Sequence, residues 1–228
     1  MSRRDGEERA EEEAGAEQAT RVVSGLSRRE FVRRSSLYGA GVIVGLALPR
    51  PRAARAAAES QMPEILSAEQ WAVVEAATAR IIPTDHEPGA REANCVNFID
   101  KALAHEDAAA LPLYQAGAAA LDGVARARFG PGFVELTPEQ QDAILVDLEQ
   151  GRASEWALAE QLPSAVFFET LRVHTIVAFL ADPAYGGNRD YAGWRVAGYP
   201  GPRHRRGGYT PAQVEGREPI VPIWQPKR

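Results

Sequence analysis

No stretch of this chain alternates apolar and polar residues with period two for the length of a strand. Five stretches instead repeat apolar residues at the three- to four-residue spacing of a helix. The first has the strongest start. Ser67 is placed as an N-cap with Gln70 three residues on, a capping box, and Leu66 and Trp71 occupy the flanking staple positions. Trp71, Val74, Thr78 and Ile81 follow at helical spacing, and Pro83 ends the run. A second helix is predicted over 91–105, with Val96, Ile99 and Leu103 on one face and Phe98 and Ala102 beside them. A third, alanine-rich, spans 112–129 with Leu113, Leu121 and Val124 inward. The fourth opens on Thr137, Pro138 and Gln140, a second capping box, and buries Ile144, Leu145 and Leu148. The fifth starts at Ser164 after Pro163 and runs to about 181. It is apolar nearly all round, which predicts the central and most buried helix. The fold class is therefore all-α: a single compact helical domain of about five helices, followed by a long glycine/aromatic-rich loop and an extended C-terminal tail.

Ahead of this domain stand Arg28, Arg29 and Phe31, then an apolar run over 37–48. Paired arginines, a phenylalanine two residues on and a moderately apolar run are the marks of a twin-arginine export signal. The run is about a dozen residues, against the roughly 20 a bilayer-spanning helix needs. The alanines that follow predict cleavage after Ala58, with Ala56 the second choice. The expected organisation is a signal peptide over 1–58, a helical domain over 59–202 and an extended or disordered tail over 203–228. The expected location is the periplasm or the outer face of the cytoplasmic membrane.

Of the 26 basic and 31 acidic residues, 11 and 8 lie in 1–58, so the remainder keeps 15 and 23, a net charge of −8. Nucleic-acid binding by phosphate neutralisation needs the opposite balance. Cys95 is the only cysteine, which excludes an intrachain disulfide, an iron–sulfur site and a cysteine zinc site. A buried, apolar thiol is expected. No Gly-x-Ser-x-Gly, His-Glu-x-x-His or phosphate loop occurs after residue 58. The histidines are scattered. His86 sits between Asp85 and Glu87 in a loop and reads as a solvated turn rather than a metal site. His105 ends a helix, where its partial charge suits the dipole. His174 reads as a satisfied core histidine, and His204 as part of a basic patch with Arg203, Arg205 and Arg206.

Two loops carry the remaining signal. In the first, Pro83, Thr84, Asp85, Pro88 and Gly89 shape a turn, and the Asp85 carboxylate is expected to accept backbone N–H bonds. The second, 182–202, is rich in glycine, aromatics and arginine. Gly186, Gly187, Gly193 and Gly198 permit close backbone approach, while Tyr185, Asn188, Arg189, Trp194 and Tyr199 are residues suited to a partner interface. Such a loop either packs over its own domain or docks on another protein. Trp194 accordingly has two readings, interface anchor or cap of its own core.

The pairing of Pro83-Thr84-Asp85-x-x-Pro88-Gly89-Ala90-x-Glu92-Ala93 with Tyr185-Gly186-Gly187-Asn188-Arg189-Asp190, Gly193-Trp194 and Gly198-Tyr199-Pro200-Gly201 resembles the gluconate 2-dehydrogenase subunit 3 family over about 64–202. The resemblance implies a small, twin-arginine-signalled subunit with no catalytic, cofactor-binding or metal residues of its own. FAD is then expected in a separate large dehydrogenase subunit, often with a cytochrome c subunit to pass the electrons on. Membrane association is expected only through partners, and the acidic charge balance leaves no nucleic-acid partner expected. The role implied is that of an accessory subunit needed for export, maturation and stability of the flavoprotein. The alternative, from the residues alone, is an independent periplasmic enzyme or ligand-binding domain with a site near Asp85, His86 and Arg189.

Overall fold

A computed structural model describes residues 63–202 and 208–222. The export signal, its cleavage position and His204 with its neighbouring arginines lie outside the described residues. Among the described residues are seven α-helices and no strand: α1 (Ala68–Ile81), α2 (Cys95–Ala104), α3 (Leu111–Phe129), α4 (Pro138–Glu149), α5 (Ser164–Leu180), α6 (Ala192–Ala197) and α7 (Pro211–Val214). The all-α class read from the apolar spacing is the observed one.

Both expected capping boxes form. The Gln70 amide N–H donates to Ser67 Oγ at 3.2 Å, and the Ser67 N–H donates to Gln70 Oε1 at 2.9 Å. Thr137 and Gln140 make the same exchange at the start of α4, with Pro138 at the first turn. Each satisfies donors that a helix start otherwise leaves without partners. α5 packs against α1, α2, α3, α4 and α6. Its Phe167 and Leu171 meet Val74, Ile99, Leu121 and Ile144 in the main core, all fully buried. Gly117 on α3 faces the Phe167 ring, so a Cβ there would collide with it and the two helices could not approach as they do. The 151–163 connection closes over this core. Trp156 Nε1 donates to the Leu162 carbonyl at 2.6 Å while its ring rests 5.5 Å from that of Phe167. Arg128 fastens the same end with a bidentate pair to Glu155 (2.9 and 2.8 Å) and a bond to Asp147 (2.8 Å). The hydrogen bonds from Arg128 bring the Glu155 carboxyl down to about 2.

Asp100, on α2, is the buried charge that the apolar pattern gives no hint of. Its carboxylate accepts the backbone N–H groups of Glu64, Ile65 (3.2 Å) and Leu66 (2.9 Å). Three amide donors replace the water that the buried carboxylate has lost, and they pin the strand of chain that leads into α1.

Four details differ from the sequence expectation. α2 begins at Cys95 rather than 91, because 91–94 form a turn that ends with Asn94 in the left-handed region (φ 57°). His105 follows the helix end, and its Nε2 lies 2.8 Å from Glu64 Oε1. The segment read as one long loop contains α6, and the described part of the tail contains α7, opened by a third capping box at Thr210 and Gln213. α5 is central, yet buried on one side only: Phe167, Phe168, Leu171, Thr175, Ala178 and Phe179 are inside, while Val166 is 49% exposed.

Replacing Asp100 by Ala removes the acceptor for three amide groups in one step. Chemical denaturation is expected to show a loss on the order of 3 kcal/mol. Asp100→Asn, which keeps a carbonyl oxygen, should lose less.

Candidate functional site

The first motif is a turn that closes on itself. Glu92 Oε2 accepts both the Thr84 hydroxyl (2.6 Å) and the Gly89 N–H (2.7 Å), and the Glu87 N–H donates to Asp85 Oδ1 at 2.8 Å. Bonds from Thr84 and Gly89 hold the Glu92 carboxyl below its usual range, against the opposing effect of partial burial. Gly89 is required by proximity: a Cβ there would sit 2.5 Å from the Ile82 carbonyl oxygen. Pro83 and Pro88 are half-buried at the two sides of the turn, and Ala90 donates to Ile82 O at 2.8 Å. The Asp85 carboxylate thus accepts a backbone N–H as its position suggested. Glu92, whose role the sequence pattern alone does not reveal, is the residue that holds the turn.

The second motif closes the C-terminal end of α5. A helix end leaves its last carbonyls without partners. Here Trp194 Nε1 donates to Leu180 O at 2.6 Å, and Asn188 Nδ2 donates to Ala181 O at 2.8 Å. Asn188 Oδ1 in turn accepts the Gly193 N–H at 2.8 Å. Gly193 passes directly over the Phe179 carbonyl oxygen, where any Cβ would collide. Gly187 has the same relation to Ala178 O. Gly186 turns with φ 97° and offers its carbonyl to Asn97 Nδ2 at 2.7 Å, and Gly198 ends α6 with φ 67°. Trp194 stacks on Tyr191 (centroids 5.7 Å) and meets Tyr199 edge-on (5.1 Å). Asn188, Asp190 and Tyr191 all have positive φ, a conformation that costs a side-chain-bearing residue about 1–3 kcal/mol. The bonds of Asn188 and the packing of Trp194 hold the backbone there.

The motifs, about a hundred residues apart, meet in one small core. Ile82, Ala90 and Ala93 of the first, Ala192 and Val196 of the second, and Cys95, Ala178 and Phe179 pack together, and the Arg189 N–H donates to Ala93 O at 3.0 Å. Cys95 is fully buried, and burial pushes its thiol pKa far up. Of the residues read as interface candidates, Asn188 (0% exposed) and Trp194 (5%) point into this chain's own fold. Arg189 and Tyr199 are exposed, and Tyr185 is half-buried.

The gluconate 2-dehydrogenase subunit 3 family model matches residues 68–201, more than half the chain and both motifs. The chain belongs to this family. No curated protein and no solved structure matches it.

One further constellation in this subunit 3 chain has the composition of a catalytic triad. His174 on α5 places Nδ1 2.9 Å from the Tyr114 hydroxyl, and Nε2 3.0 Å from Asp107 Oδ2. The carboxylate fixes Nε2 as the donor, so Nδ1 accepts the phenol proton. The Tyr114 hydroxyl is nonetheless unsuited to attack a substrate. Tyr114 is 0% exposed, and burial pushes its phenol pKa well up, with the Asp107 charge adding to that. The group links α3, α5 and the turn between α2 and α3. Asp85, His86 and Glu87 form no three-ligand metal cluster, and no other such cluster occurs among the described residues.

Two outcomes follow from this geometry. Trp194→Ala should destabilise the folded domain by about 3 kcal/mol or more, read by denaturation, because it removes a buried ring and leaves Leu180 O without its indole donor. Burial lowers the His174 pKa below its ordinary 6.5, and the Asp107 charge only partly opposes this. The unfolded chain therefore takes up that proton first. Stability is full above 6.5 and is lost as pH falls through the depressed folded-state value. A thermal melt series from pH 7.5 to 5 should show the decline, and His174→Gln should flatten it.

Proposed function

We propose that this chain is the non-catalytic escort and structural subunit of a periplasmic, FAD-dependent dehydrogenase complex of the gluconate 2-dehydrogenase kind. It carries a twin-arginine signal and leaves the cytoplasm with the folded flavoprotein bound. The observation that carries the reading is how the family's own motifs are used. Thr84, Asp85, Glu92, Asn188 and Trp194 are engaged in closing turns and capping α5. Polar groups held within the fold serve shape, and the family match places that shape among dehydrogenase subunits. The described residues, all helix and connection, offer no strand–turn–helix unit on which a dinucleotide pyrophosphate would sit. In this reading FAD is carried by the large partner subunit, and a cytochrome c subunit accepts its electrons. Substrate choice belongs to the partner's pocket. Within the second motif Arg189 and Tyr199 are exposed and Tyr185 is half-buried, and the partner contact is assigned to this part of the surface.

Changing Arg28 and Arg29 together to Lys tests the reading, because the export machinery recognises the arginine pair. This chain and the flavoprotein should both remain in the cytoplasm, and periplasmic dehydrogenase activity should fall to background. Normal periplasmic activity in the double variant would overturn the escort function.

A further inference from the structure

Among the described residues, α5 is apolar on two sides and fully covered on one. Opposite the buried row of Phe167, Leu171, Thr175 and Ala178, positions 166, 173, 177 and 180 fall in line at helical spacing and carry Val166, Val173, Val177 and Leu180, with Ile176 at the edge. Val166 is largely exposed and the others are half-buried. The polar residues between them are neutralised locally. Thr170 Oγ1 donates back to Val166 O at 2.8 Å, and Glu169 is held in a bidentate pair with Arg172 at 2.8 and 2.6 Å. A helix apolar on every side belongs in an interior, and the described residues cover only part of this one.

We propose that this outward stripe of α5 is a docking surface for the large flavoprotein subunit; the proposal rests on the escort reading above. Two observations select that occupant. The chain belongs to a family of dehydrogenase subunits, so a partner chain is part of its native state. A second copy is disfavoured, since residues 59–228 carry a net charge of −8 and two such copies repel. One helix face is also smaller than the roughly 800 Å² per partner that a stable interface buries. The stripe is, however, continuous with the second motif. Leu180, its last residue, holds the Trp194 indole on its carbonyl, and Tyr199 packs edge-on against that indole while staying exposed. A partner that spans both reaches the required area, with an apolar groove for the valines and a basic rim suited to the acidic chain.

The test uses the full chain co-expressed with the neighbouring reading frames of its own genome, with the large subunit identified by its bound flavin. Val173→Glu and Val166→Glu are made separately, and Val146→Glu, an exposed valine on α4, serves as control. The two α5 variants should lose co-purified flavoprotein on the order of tenfold or more while melting like the unaltered chain, and the control should retain it. A photo-crosslinking p-benzoylphenylalanine at position 173, which introduces no charge, should join this chain to the flavoprotein. Undiminished co-purification of both α5 variants would overturn the docking surface and leave the escort reading standing. So would crosslinking to a second copy of this chain or to lipid. If the unaltered chain itself brings down no flavoprotein, the escort reading fails and the docking surface with it.

Discussion

The C-terminal end of α5 is the point on which the rest of the fold depends. A long apolar helix that stops inside a protein leaves carbonyl oxygens aimed at neighbours that cannot hydrogen-bond. Each one left buried without a donor costs about 1–3 kcal/mol. Here the donors come from seven and fourteen residues further along, from the side chains of Asn188 and Trp194. For those side chains to reach back, the chain must turn sharply between 186 and 193. This explains the positive φ of Gly186, Asn188, Asp190 and Tyr191, and a Gly193 with no room for a side chain. The strain of the turn and the satisfaction of the helix end are two sides of one arrangement.

The first motif is built to receive this cap. Its short turn, tied by Glu92, sets Ala90 and Ala93 flat against Phe179, and the Ala93 carbonyl accepts the Arg189 amide. Small residues here let two backbones come together where larger ones would hold them apart. The two motifs are therefore one structural unit. A change in either is expected to be felt by the other through Phe179 and the Arg189–Ala93 bond, whichever of them touches a partner.

Some of this was legible in the sequence, for identifiable reasons. The capping boxes at Ser67 and Thr137 are local: their partners lie three residues away, so spacing alone finds them. Cys95 among apolar neighbours and the Asp85 turn follow from equally short-range chemistry. Asp100 was missed because its partners are 34–36 residues distant and are backbone groups, which leave no trace in side-chain pattern. Composition makes Asn188 an interface candidate and leaves Trp194 between an interface anchor and a cap of its own core. Composition says that a side chain can bind strongly, and does not say to what.

By itself, then, the sequence determined what depends on neighbours along the chain: helical class, helix starts, the presence of two unusual turns and the family to which they belong. Tertiary structure decided which face of each element is covered. α5 shows why. A helix apolar on all sides carries no periodic signal to say which side faces inward, so only the packing of Phe167, Leu171 and Thr175 against the other helices leaves Val166 exposed and Val173 half-buried.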